Sequence, residues 1–85
     1  MHIAYKKRFD KSFKKLSPKV KQQFYGRLHL FLKNKFDEQL NNHSVDPTYP
    51  GCRSINITGD YRAIFYEEDD HITFIFIGTH SELYS

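Results

Sequence analysis

Arg62 and two of the histidines are the side chains in this chain of 85 residues with the most chemistry to offer. Arg62 stands in Tyr61-Arg62-Ala63-Ile64-Phe65, which reads as a strand. A guanidinium among apolar neighbours has to reach a carboxylate or an anion arriving from outside. His80 follows Gly78-Thr79 directly after the last apolar run, at an end where loop residues project over a sheet and often carry function. His43 lies in Asn41-Asn42-His43-Ser44. A loop histidine is more often a solvated surface group, so neither makes a site alone. Asp60 offers a carboxylate, but in Thr58-Gly59-Asp60-Tyr61 it is also an ordinary turn residue. Cys52 beside Arg53 could be an activated thiol and reads better as a buried, inert cysteine. His2, His29 and His71 are read as structural. With one cysteine and no histidine pair at i, i+4, a structural metal is not expected. No Gly-rich phosphate loop is present, so nucleoside-triphosphate chemistry is not expected either.

The elements that must position these groups follow from periodicity. His2 to Lys7 alternates loosely and reads as a first strand. Asp10 is a candidate N-cap for a short helix carrying Phe13 and Leu16, and Ser17-Pro18 starts a second one. Val20, Phe24, Leu28, Phe31 and Leu32 make the apolar stripe of that second helix. Asp37 to Gly51 is rich in turn residues and reads as a connecting loop. Beyond it the period becomes two, and Arg53 to Thr58, Tyr61 to Glu67 and His71 to Ile77 read as a three-stranded meander. The expected fold is α+β in β-α-α-β-β-β order: an antiparallel two-helix hairpin on a mainly antiparallel four-stranded sheet, as one domain over residues 1–85. In the first hairpin a two-residue loop, Gly59-Asp60, would set Arg62 against Ile57 and Ile55, whereas the preferred three-residue loop, Thr58-Gly59-Asp60, sets it opposite Asn56. Ser54, Asn56 and Arg62 then share one face, and Ile55, Ile57, Tyr61, Ala63 and Phe65 the other.

Charge is segregated. Residues 1–35 hold eleven Lys/Arg against Asp10, net +10, and residues 36–85 hold two, Arg53 and Arg62, against nine Asp/Glu, net −7, which recovers the overall +3. The basic segment makes nucleic acid the first partner to test, although lysine-rich helix faces are mostly solvated surface. No apolar run approaches the ~18–20 residues a membrane span needs, and no signal-peptide h-region follows the basic N-terminus, so a cytoplasmic protein without membrane contact is expected.

The stretch Arg53-Ser54-Ile55-Asn56-Ile57-Thr58-Gly59-Asp60-Tyr61-Arg62-Ala63-Ile64-Phe65-Tyr66 carries a resemblance, with Ile77-Gly78-Thr79-His80-Ser81-Glu82-Leu83-Tyr84 after it and Leu40-Asn41-Asn42-His43 before it. Together they resemble the RelE/ParE toxin superfamily, nearest its YafQ-like branch, over essentially the whole chain. The resemblance implies a RelE-like fold and the toxin of a type II toxin–antitoxin pair. Such toxins cleave mRNA, commonly on the ribosome, without a cofactor, and are held by a cognate antitoxin.

Metal-free RNA cleavage needs a base for the ribose 2′-OH, a cation for the phosphorane and an acid for the 5′-oxygen. The YafQ-like pattern implies His80 as acid or base, His43 or Asp60 as its complement, and Tyr84 as a base-stacking residue. Arg62 matches the Tyr-Arg of the RelE-like branch and is the expected phosphate-stabilising cation. Asn56, Arg53 and Tyr61 complete the candidate substrate-binding set with Tyr84. Asn56 stands where the branch often has histidine, and Phe76 where it has a strand arginine. A ParE-like, non-enzymatic inhibitor of DNA gyrase is the rival reading, for which the histidines would be dispensable. A catalytically weakened relative that only binds antitoxin is the third.

Overall fold

The computed structural model describes residues 1–84. Nine elements follow one another: β1 (His2–Tyr5), α1 (Lys7–Lys14), α2 (Pro18–Lys33), a 3₁₀ turn (Glu38–Leu40), β2 (His43–Ser44), β3 (Arg53–Asn56), β4 (Tyr61–Glu68), β5 (His71–Thr79) and α3 (His80–Leu83). The strands form one sheet in the order β1-β5-β4-β3-β2. Only the β1–β5 pair is parallel. The architecture is the α+β arrangement expected, with five strands where four were expected.

The fifth strand lies inside the segment read as a loop. His43 pairs with Ser54 and Ser44 with Arg53, extending the sheet past β3. Two exposed residues leave no alternating pattern to read. What seats them is their surroundings: Leu40 and Val45 are buried on either side, and Asn41 at φ 47° turns the chain from the 3₁₀ turn into the strand. Asparagine tolerates that left-handed conformation better than most residues.

Helix α1 starts earlier than its expected cap. Lys6 is the N-cap and offers no side-chain bond, while Asp10 lies in the first turn, its N–H on the Lys6 carbonyl at 3.1 Å. The earlier start puts Phe9 and Phe13 four residues apart on one helix, with Phe9 in the core. Ser17 caps α2 as expected, its hydroxyl accepting the Val20 N–H at 3.3 Å, with Pro18 in the first turn. Phe24 and Phe31 are fully buried, but Leu32, expected in the apolar stripe, is 47% exposed, and Leu30 packs on the core instead.

The α1–α2 face of the sheet carries the main core. Phe9, Phe24 and Phe31 meet Ile55, Ala63, Phe65, Phe74 and Ile77 there. The rings of Phe9, Phe24 and Phe74 lie 5.3–5.7 Å apart, in tilted and edge-on contacts favoured by their quadrupoles. The opposite face is closed more thinly by Ile64, Val45, Cys52 and Leu83. A bulge at Ile75, where Ile64 pairs Phe76 but Phe65 pairs Phe74, aims successive aromatics at both faces. No helix among the described residues is long and apolar enough to cross a membrane.

Candidate active site

The first hairpin has the register expected from its polar and apolar alternation: Asn56 stands opposite Arg62, Ser54 opposite Ile64 and Ile55 opposite Ala63. Ser54, Asn56 and Arg62 therefore emerge on the thinly covered face. On that face a cavity of about 190 Å³ is lined by Asn41, His43, Ser54, Arg62, His80 and Tyr84. Side chains from β2, β3, β4 and α3, His43 and His80 being 37 positions apart in sequence, meet in it.

Each has an identifiable support. The Arg62 Nη1 donates to the carbonyls of Thr58, Gly59 and Tyr61 at 3.1, 3.2 and 3.1 Å. The expected carboxylate or bound anion is thus replaced by the hairpin's own backbone, which solvates one corner of the guanidinium. Among the described residues its Nε and Nη2 meet no acceptor, so the remaining donors are available to an entering phosphate. His43 Nδ1 lies 2.7 Å from the Asn41 carbonyl. A carbonyl only accepts, so the neutral ring carries its proton on Nδ1, and Nε2 holds the lone pair.

His80 opens α3 and is not in a loop. Thr79 caps that helix: its hydroxyl accepts the Glu82 N–H at 3.1 Å, and Glu82 Oε1 accepts the Thr79 N–H at 2.8 Å. This reciprocal pair is readable in Thr79-His80-Ser81-Glu82 as a capping box, the signal that finds the helix from sequence. The His80 N–H donates to the Asp60 carbonyl at 3.0 Å, tying α3 to the hairpin. Tyr84, one turn on, stacks at a tilt against His80 with centroids 4.8 Å apart. Tyr49 fixes the far end of α3, donating its hydroxyl to the Leu83 carbonyl at 2.7 Å.

The other candidates fall outside this cavity. Asp60 sits exposed at the hairpin tip and touches His80 through its backbone only. Asn56 lies beside Arg62 in register with its Oδ1 buried and without a hydrogen-bond partner. Arg53 points to the helix side, donating from Nε and Nη2 to the Oδ1 and carbonyl of Asn42 at 2.7 and 3.3 Å. It holds the backbone next to His43. Tyr61 packs against the main core and lines a separate cavity. Burial, with the Asp46 charge second, pushes the Cys52 thiol up, as an inert cysteine requires. Ser54 and Asn41 join the lining, Asn41 because its left-handed turn aims the chain into β2.

Comparison with known proteins now bears on this arrangement. Residues 1–85 match the sequence profile of the family described as bacterial toxin of type II toxin-antitoxin system, YafQ. Comparison with curated protein sequences gave no match. Among solved structures, YafQ from E. coli is similar at a TM-score of 0.83 and 21% identity, with 98% of this chain and 97% of that one covered. The toxin chain of the E. coli DinJ-YafQ toxin-antitoxin complex gives 0.80 at 21% identity, covering 98% and 96%. The intact E. coli RelBE toxin-antitoxin complex gives 0.71 at 22%, covering 92% and 94%. These likenesses show the RelE-like fold.

Proposed function

The chain belongs to the YafQ family of bacterial toxins of type II toxin–antitoxin systems, and from that membership we propose that it is an endoribonuclease that cleaves mRNA by metal-independent acid–base chemistry. The observation that carries the reading is the cavity where His43, Arg62 and His80 converge. Two imidazoles and a guanidinium around one small opening match the needs of an in-line attack by a ribose 2′-OH on its own 3′-phosphate.

In that step His43 Nε2, its lone pair fixed by the Asn41 carbonyl on Nδ1, accepts the 2′-OH proton as the 2′-oxygen bonds to phosphorus. Arg62 donates to the phosphorane oxygens through Nε and Nη2, its Nη1 end already anchored. Protonated His80 gives its proton to the 5′-oxygen as the P–O5′ bond breaks. The products are a 2′,3′-cyclic phosphate and a free 5′-OH, with no atom or electron left over. Tyr84, exposed on one face and stacked on His80 on the other, offers a ring for the neighbouring base. The substrate is mRNA, taken on the ribosome, and a cognate antitoxin is the protein partner, as DinJ is for YafQ and RelB for RelE in the complexes above.

Primer extension and in vitro cleavage with the full chain test the reading. His80→Ala and Arg62→Ala each lower cleavage by at least ~100-fold, the scale of a lost proton donor or phosphorane contact, with circular dichroism unchanged. Full cleavage by either variant would overturn it. DNA supercoiling assayed beside it stays untouched; gyrase inhibition that survives both substitutions would favour the rival reading.

A further inference from the structure

Arg8, Lys11 and Lys15 stand at spacings of 3 and 4 along α1 and its C-cap, so the three cations share one side of the helix. That side borders a second cavity, of about 360 Å³, between α1 and the ends of β4 and β5. None of the three is in an ion pair among the described residues. One carboxylate faces them, that of Glu82, whose Oε1 accepts the Thr79 N–H. The Arg8 guanidinium lies 4.4 Å from the centroid of the Phe76 ring, which fixes the flat cation in place. Tyr61 supplies a second aromatic wall.

Cations and aromatic rings lining one cavity are complementary to the two parts of a nucleotide, phosphate and base. The volume lies near the low end of ligand pockets, roughly 300–1,000 Å³, which suits a single nucleotide and not a duplex or a docked helix. Position adds the third observation. Tyr61 adjoins Arg62 on β4, and Glu82 shares one short helix with His80. Tyr61 and Arg62 face opposite sides of the sheet, so an RNA strand joining the two cavities would pass around the sheet's end, past α3.

We propose that this cavity is an RNA subsite holding a nucleotide that flanks the one between His43, Arg62 and His80. Its phosphate sits on Arg8, Lys11 and Lys15, and its base lies against Tyr61 and Phe76. The identity of the ligand as RNA rests on the ribonuclease reading; the subsite itself goes beyond it.

The test uses the full chain and fluorescein-labelled 2′-O-methyl RNA, which cannot be cleaved because the attacking oxygen is blocked, lengthened nucleotide by nucleotide. Anisotropy gives affinity across a salt series. Wild type gains affinity as the oligonucleotide grows past the first cavity. The double variant Lys11→Gln/Lys15→Gln, altered only at exposed positions, loses that gain, about tenfold. Its log–log salt slope is shallower by up to about 0.7, the value for one phosphate contact of a single strand. Arg62→Ala binds more weakly but keeps the gain with length.

Equal affinities and slopes for wild type and the double variant at every length overturn the subsite. So does unchanged RNA binding with weakened binding of an oligoglutamate peptide, which assigns the cavity to an acidic protein segment. If the gain depends on Lys11 and Lys15 while the wild type cleaves no RNA, the subsite stands and the ribonuclease reading falls. If cleavage needs His80 and Arg62 but the gain ignores the lysines, the subsite alone falls.

Discussion

His43 and His80 face one cavity but are held differently, and in the proposed mechanism that difference gives them different roles. The His43 ring is clamped at Nδ1 by a carbonyl, which leaves Nε2 to meet the 2′-OH as the base of the proposed step. His80 has a ring contact with Tyr84 and no hydrogen bond on its ring among the described residues, so both ring nitrogens are open to the leaving group of the proposed step. A base that must be deprotonated makes the rate rise with pH, and an acid that must be protonated makes it fall. On the proposed mechanism the cleavage rate is therefore expected to be bell-shaped in pH. His43→Gln removes the rising limb and His80→Gln the falling one; a single limb lost in both variants would reverse or merge the roles. Tyr84 gives a finer contrast. Its contact with His80 is through the ring, so Tyr84→Phe keeps cleavage within about twofold, while Tyr84→Ala loses ~10-fold or more in kcat/KM, the ~1–3 kcal/mol of one stacked base.

Helix α3 has four residues, far too short to persist alone, and it is the element that delivers His80. Four contacts hold it: the Thr79 capping box, the His80 N–H on the Asp60 carbonyl, the Tyr49 hydroxyl on the Leu83 carbonyl, and Leu83 itself, which is 4% exposed. Thr79→Ala removes the cap and costs about 1 kcal/mol of stability, read as a small fall in denaturation midpoint. It also frees the turn carrying His80, so cleavage drops beyond what the lost stability explains. Gly78 is the other constraint, because a Cβ there would lie 2.9 Å from the Phe76 ring and 3.2 Å from Glu82 Oε1. Gly78→Ala pushes that ring or the capping carboxylate aside and impairs both cavities together. The Arg62–Asn56 register is legible because polar and apolar residues alternate over the hairpin and only one pairing separates them. Strand β2 is not, since its two exposed residues are placed by Leu40, Val45 and their partner strand. Asp10 is misleading for a physical reason: a carboxylate suits both an N-cap and the first helical turn, and burial of Phe9 decides for the latter. The convergence of His43 on His80 needs β2 in the sheet, so most of the cavity's chemistry was visible in the chain but its closure was not.

The molecule as a whole keeps its opposite charges apart. Eleven Lys/Arg fall within residues 1–35, and among the described residues only Lys35 of these forms an ion pair, with Glu67 at 2.8 Å. The basic helices therefore repel themselves in the folded state, and the extended chain relieves that repulsion. Salt screens it over about 10 Å at 0.1 M, so the melting temperature should rise from low to moderate ionic strength. A bound polyanion neutralises the same charges and stabilises only the folded form, by the ratio of its concentration to its dissociation constant. At low salt, uncleavable RNA should thus raise the melting temperature more than it does at high salt, where its binding weakens through counterion release. The double variant Lys11→Gln/Lys15→Gln separates the two effects: it melts higher than wild type alone in low salt, yet gains less from RNA. A melting temperature that falls with salt in the free protein would mean that net attraction, not repulsion, joins the basic helices to the acidic sheet, and the polyanion would then compete with the fold's own carboxylates instead of completing its surface.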